Sequence, residues 1–262
     1  MTADQAMEQA VAPAVRDILE RTFIHLHGVG EKTEQKLWER GIRTWTDYLD
    51  HPGPVLGAVK DQTARRALEE CLNRREDPAF FSNWLPAGHM WRVFPAFSHR
   101  AAYLDIETCP GPGYDEVTVI GLYDGDRVRT FIQGMNLQDF ETAVADYDLV
   151  VTFNGGLFDL PVIRSRFPNI TLPPIHVDLR WVLRRLGLSG GLKRIEQALG
   201  ISRPGEVDGL CGWDAVRLWR DFCRGDEKAL ETLVCYNTED IVNLKPLMEY
   251  AVQTLSAELF SG

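Results

Sequence analysis

Up to about residue 78 the chain repeats apolar residues at three- and four-residue spacing. "AVRDILERTF", "KTEQKLWERG" and "QTARRALEECLNRR" each predict a helix. From about residue 90 the period shortens. "AAYLDIE", "EVTVIGLYD" and "RVRTFIQG" predict strands, with Asp124-Gly125 as the hairpin turn between the last two. A helix around "LQDFETAVADY" and the apolar strand "DLVVTF" follow. The remainder reads as helices at "FDLPVIRSRF", "DLRWVLRRLG", "GLKRIEQALG", "WDAVRLWRDF" and the long run "DEKALETLVCYNTEDIVNLKPLMEYAVQTL", with one short strand at "PPIHVD". Hairpins giving way to alternating helix and strand predict an α/β fold: a mixed β-sheet flanked by helices, preceded by a small all-α region. Between the two textures, "EDPAFFSNWLPAGHMWRVFPAF" is too aromatic for a free linker. The expected organisation is a helical domain over 1–78, a packed connector over 79–97 and a sheet-bearing domain over 98–262.

Composition narrows the class without naming a chemistry. Of 262 residues 45% are hydrophobic and 25% charged, as in ordinary soluble proteins. The net charge of -10 means that bulk charge would not draw a polyanion, so any such binding needs a local patch. Five cysteines with no CxxC pair argue against a disulfide framework or a zinc site, and for a reducing compartment. "MTADQAMEQAVAPAV" lacks the basic start and apolar stretch of a signal peptide, and no apolar run approaches the ~20 residues of a membrane span. The expectation is a cytoplasmic protein with no membrane partner.

The candidate chemistry lies where acids interrupt apolar runs. Asp105 and Glu107 are two apart on a strand and therefore share a face, next to a core. Asp159 sits in the first turn of the helix that follows "NGG", and "YNTED" places Tyr236 and Asp240 on one helical face. Acids converging on one pocket repel one another unless a counter-charge joins them, and hard divalent cations supply it. A pair of such ions can serve in-line displacement at phosphorus.

"DIE", "NGGLFD" and "YNTED" resemble, in chain order, the three exonuclease motifs of the DEDD superfamily on the ribonuclease H-like fold. "YLDIET", "VVTFNGGLFDLPVI" and "YNTEDIVNL" are closest in form to its YprB-like branch, and Tyr236 points to the DEDDy subgroup. The resemblance implies a ribonuclease H-like sheet and two Mg²⁺ or Mn²⁺ ions. Asp105 would bridge both, Glu107 and Asp240 would hold one, and Asp159 would support the other. Tyr236 would position the nucleophile, while Asn154, Thr108 and Phe158 would meet the substrate strand. Many relatives continue from the glutamate with Thr-Thr-Gly, whereas Cys109-Pro110 follows Thr108 here.

Two further features bear on nucleic acid. Between residues 164 and 203 eight basic residues face only Asp178 and Glu196, and Arg184 and Arg185 are the expected phosphate contacts. Trp181, Trp213 and Trp219 read as core. Residues 22–50 resemble a helix-hairpin-helix motif, in which Gly28, Val29, Gly30, Lys32 and Thr33 would hold a DNA backbone without reading sequence. The sum predicts a metal-dependent 3′–5′ exonuclease acting on nucleic acid, DNA in preference to RNA. The alternatives are a non-catalytic DNA-binding or adaptor protein with a relic site, and an endonuclease on the same fold.

Overall fold

A computed structural model describes residues 18–111 and 115–260. Its centre is a five-stranded sheet of β1 (Ala101–Pro110), β2 (Asp115–Tyr123), β3 (Val128–Ile132), β4 (Leu149–Thr152) and β5 (Ile175–Asp178), ordered β3-β2-β1-β4-β5. β1 is central, antiparallel to β2 and parallel to β4. The β2–β3 turn forms as expected. Gly125 takes φ 102°, and Asp124 Oδ1 accepts from the amides of Asp126 and Arg127.

Alternation along β1 assigns its two faces. Ala102, Leu104 and Ile106 pack with Phe140 of α5 (Asp139–Val144) and Ile163 of α6 (Asp159–Arg166). Ala101 and Tyr103 point the other way, into a cluster that also holds Trp45, Trp91, Leu183 and Leu247. That second cluster joins the sheet to the amino-terminal helices α1 (Glu31–Glu39), α2 (Trp45–Asp50) and α3 (Ala58–Asn73), and to α4 (Phe94–Phe97). A fully buried ion pair lies inside it: Arg92 donates to both carboxylate oxygens of Glu34 at 2.9 Å.

After β5 come α7 (Leu179–Arg185), α8 (Leu192–Ala198) and α9 (Gly212–Cys223). The long helical run expected at 226–255 is two helices, α10 (Glu227–Val242) and α11 (Leu244–Phe260), parted at Asn243. Pro246 explains the break, since it has no N–H for the Val242 carbonyl and its ring crowds that group. Of "AVRDILERTF", residues 14–17 lie outside the described residues. The rest begins with turns closed by Arg21 N to Ile18 O and Thr22 N to Leu19 O. Trp213 is not core but 78% exposed, because it lies about 200° around α9 from the buried Ala215. Among the described residues, no helix is long and apolar enough to cross a membrane.

Candidate active site

Asp105 and Glu107 project from the β1 face covered by α10. The helix comes close because β2 carries Gly121 directly opposite Asp105. A Cβ at that glycine would lie 2.1 Å from Asn237 Oδ1 and 3.1 Å from Ile241 Cδ1. The space left is used by Asn237, whose Nδ2 donates to Asp105 Oδ2 at 3.0 Å. Asp240, one turn further along α10, completes a cluster in which one carboxylate oxygen from each of Asp105, Glu107 and Asp240 lies within 4.8 Å of the others.

Asp159 enters from the opposite flank. β4 pairs with β1 only as far as Tyr103, so the Ile106 amide beyond it is open on that side. Asp159, the first residue of α6, fills the gap, and its Oδ1 accepts from Ile106 N at 3.2 Å. The turn that delivers it is tightly specified. Asn154 adopts φ 67°, and Asp178 accepts from the amides of Asn154 (2.7 Å), Gly156 (3.2 Å) and Arg180 (3.1 Å). A Cβ on Gly155 would meet Thr152 Oγ1 at 2.3 Å, so no larger residue fits the turn as built.

The electrostatics are those of crowded, buried acids. Burial, then Asp240, Asp159 and Glu107, holds the Asp105 carboxyl well above its usual range. Glu107 is pushed up to about 8, by burial first and then by Asp240 and Asp159. Burial likewise lifts Asp159 to about 7 and raises Asp240, although Arg203 opposes the second shift. Two cations stand among these acids. Arg203 reaches Asp240 Oδ1 at 2.5 Å and is itself gripped by both oxygens of Glu196, at 2.6 and 2.7 Å. Lys193 donates to Tyr236 Oη at 2.9 Å and to the Leu210 carbonyl, with its Nζ 4.1 Å from the tyrosine ring.

The other expected positions are dispersed. Thr108 follows a register shift on β1, and Cys109-Pro110 continues the pairing with β2 as far as Asp115. Phe158 is 39% exposed just before α6, and its neighbour Leu157 is 68% exposed. Arg184 is exposed on α7, whereas Arg185 turns to Glu31 and to His89 Nε2 and does not reach the acids. Val29 is buried in the core. Gly28 takes φ 78° beside Lys60, Gly30 caps α1, and Thr33 N bonds to Gly30 O. Lys32 is exposed on the first turn of α1. Lys193, Arg203, Asn237, Asp178 and Gly121 shape the site without a motif of their own. Asn237 alone had a local signal, lying at i and i+3 with Asp240 on the buried face of α10.

A family model described as the RNase H superfamily matches residues 102–252, more than half of the chain. The chain belongs to the RNase H superfamily. The RNase H match runs from β1 into α11 and includes all four carboxylates, Asn154 and Tyr236, leaving α1–α4 outside it. Among solved structures, the chain is similar to the family B DNA polymerase of the hyperthermophilic archaeon Pyrobaculum calidifontis. The two share 20% identity over 60% of this chain, with a TM-score of 0.48. The similarity covers 25% of the polymerase chain. No curated protein matches the sequence.

Proposed function

We propose that this RNase H superfamily member is a metal-dependent 3′–5′ exonuclease of the DEDDy type, in the YprB-like branch. It would cut DNA in preference to RNA and release nucleoside monophosphates. The observation that carries the reading is the meeting of Asp105, Glu107 and Asp240 within 4.8 Å, with Asp159 held against the same strand. Such a donor set suits Mg²⁺ or Mn²⁺, which prefer carboxylate oxygens, and burial together with the neighbouring acids raises the Asp105 and Glu107 carboxyls, a penalty that a bound cation would relieve. Asp105, Glu107 and Asp240 would hold one ion and Asp159, with Asp105, a second. Bound cations would neutralise the acids, make a water nucleophilic and stabilise the leaving oxygen.

The chain's own groups supply orientation. Tyr236 Oη accepts from Lys193, which leaves its phenolic proton to align an attacking water. Asn154, whose backbone amide donates to Asp178 and whose Oδ1 accepts from Arg180, would meet the substrate strand. Glycines 28 and 30 with Lys32 and Thr33 would hold a DNA backbone away from the acids, as a helix-hairpin-helix region does. End-labelled single- and double-stranded DNA incubated with Mg²⁺ or Mn²⁺ tests the reading. Progressive shortening from the 3′ end by wild type, lost in Asp105→Ala, is expected. Equal degradation by both, or shortening from the 5′ end, would overturn it.

One observation favours the rival reading, a DNA-binding protein with a relic site: Arg203 pairs with Asp240 at 2.5 Å, on a carboxylate that a metal ion would need. Calorimetric titration with Mn²⁺ separates the two. An intact centre takes up the ion and the Asp105→Ala/Asp159→Ala variant does not, whereas a relic takes up none in either.

A further inference from the structure

A groove of about 720 Å³ is bounded by Asn154 on one side and by the Gly187–Gly191 loop on the other. Both walls lead into the site. Asn154 opens the turn that carries Asp159, and the loop runs into α8, whose Lys193 holds Tyr236. Among the described residues, the charged ones lining it are Arg180 and Arg184, in a chain of net charge -10. They stand one turn apart on α7, about 6 Å along its axis, which is the order of the spacing between neighbouring phosphates in an extended strand.

α7 sorts its arginines. Arg185 is committed to Glu31 and His89. Arg180 donates to the uncharged Asn154 Oδ1, and Arg184 lies over the Trp181 ring at 5.9 Å. Neither makes an ion pair among the described residues. The far wall is nearly bare backbone, with Gly187 at φ 74° and Gly190 at φ 115°, where a strand could approach closely. Phe153 adds an aromatic face of the kind on which unpaired bases stack, with Leu188 beside it.

We propose that this groove holds single-stranded nucleic acid next to the bond being cut, Arg180 and Arg184 each taking one phosphate and Phe153 meeting a base. The inference rests on the nuclease reading and adds to it a dependence on strand length. Two readouts test it. In the first, kcat/KM is measured with Mn²⁺ on a dinucleotide and on a single-stranded dodecamer, in matched DNA and RNA forms. In the second, the same labelled dodecamers are bound in EDTA over a range of salt. The Arg180→Ala/Arg184→Ala variant should lose about ten-fold more on the dodecamer than on the dinucleotide, as expected for lost charge-assisted phosphate contacts. Its salt slope should fall by about 1.4 for two contacts to a single strand. Arg184→Glu, which leaves the Arg180–Asn154 bond in place, should shift both readouts the same way, and unchanged melting temperatures would show that the variants fold.

Equal losses on both lengths with an unaltered salt slope would overturn the groove while leaving the nuclease reading standing. If wild type turns over neither length, the nuclease reading falls and the salt slope alone decides whether the groove binds a strand. Parallel losses on DNA and RNA place recognition in the shared phosphodiester. A loss confined to one of them assigns the groove to that polymer.

Discussion

Gly121→Ala is the sharpest probe of how the site is held, because the residue is not itself an acid. The added methyl would lie 2.1 Å from Asn237 Oδ1, an impossible contact, and 3.1 Å from Ile241 Cδ1. The Asn237 amide is the free end of a side chain and can rotate away, so the backbone need not move far. Crowding then costs about 1–3 kcal/mol. Asn237 is only 1% exposed, and rotation breaks its bond to Asp105 and strands a buried amide, a further loss of about 1–3 kcal/mol. Asp105 loses the donor that orients it, and loss of such a partner typically weakens a metal site by about 10–100-fold. Mn²⁺ calorimetry and urea denaturation read the two effects separately. Gly212→Ala is the control, since nothing lies within 4 Å of a Cβ there. Wild-type Mn²⁺ affinity and stability in Gly121→Ala would refute the claim that this glycine sets the approach of α10 to Asp105.

Three other outcomes follow from the same geometry. Glu107 and Asp159 are raised to about 8 and about 7, so the stability tied to their protonated forms is complete below about pH 4.5 and is lost as pH climbs through those values. In EDTA the melting temperature should therefore fall between about pH 6.5 and 8.5, and Mn²⁺ should suppress the fall. The lowered His25 and His89 contribute in the opposite sense, a gain that grows from about pH 3 to about 6.5 and so offsets the loss below the window and little within it; a flat EDTA profile would contradict the assignment. Tyr236→Phe should reduce kcat on the order of a hundred-fold while changing stability by only about 0.5–1.5 kcal/mol, in single-turnover kinetics and denaturant melts. Glu34→Ala should cost about 3–5 kcal/mol in chemical denaturation, because it leaves Arg92 charged and unpaired in the core; a loss under about 1 kcal/mol would mean that water reaches the pair.

The sheet is legible in the sequence because each strand carries its own period, and the turn at Asp124-Gly125 has local chemistry that needs nothing distant. The same holds for the acids of β1 and the Tyr236–Asp240 face, which are spaced by strand and helix geometry alone. What escapes is long-range. Arg203 belongs to a segment that reads as a basic strip for phosphates, yet it turns inward to pair with Glu196 and Asp240. Arg185 carries the same formal charge as Arg184, and only the fold reveals that Glu31 claims it. Trp213 looks like a core residue by type, and only its angle around α9 places it outside. The break at Asn243 was readable from Pro246 but is masked by the unbroken apolar period on either side.

The order of the four carboxylates along the chain has a consequence for synthesis. Two stand on β1, one opens α6, and the last lies on α10 near the carboxyl end. A nascent chain that has emerged only as far as α8 already displays Asp105, Glu107 and Asp159 but has no Asp240, no Asn237 to orient Asp105, and no Tyr236. The β-strands can pair and the hydrophobic faces can close while the centre remains incomplete. On the proposed reading, such a ribosome-bound intermediate is inert toward the nucleic acid that surrounds it, and competence arrives only with the closing helix.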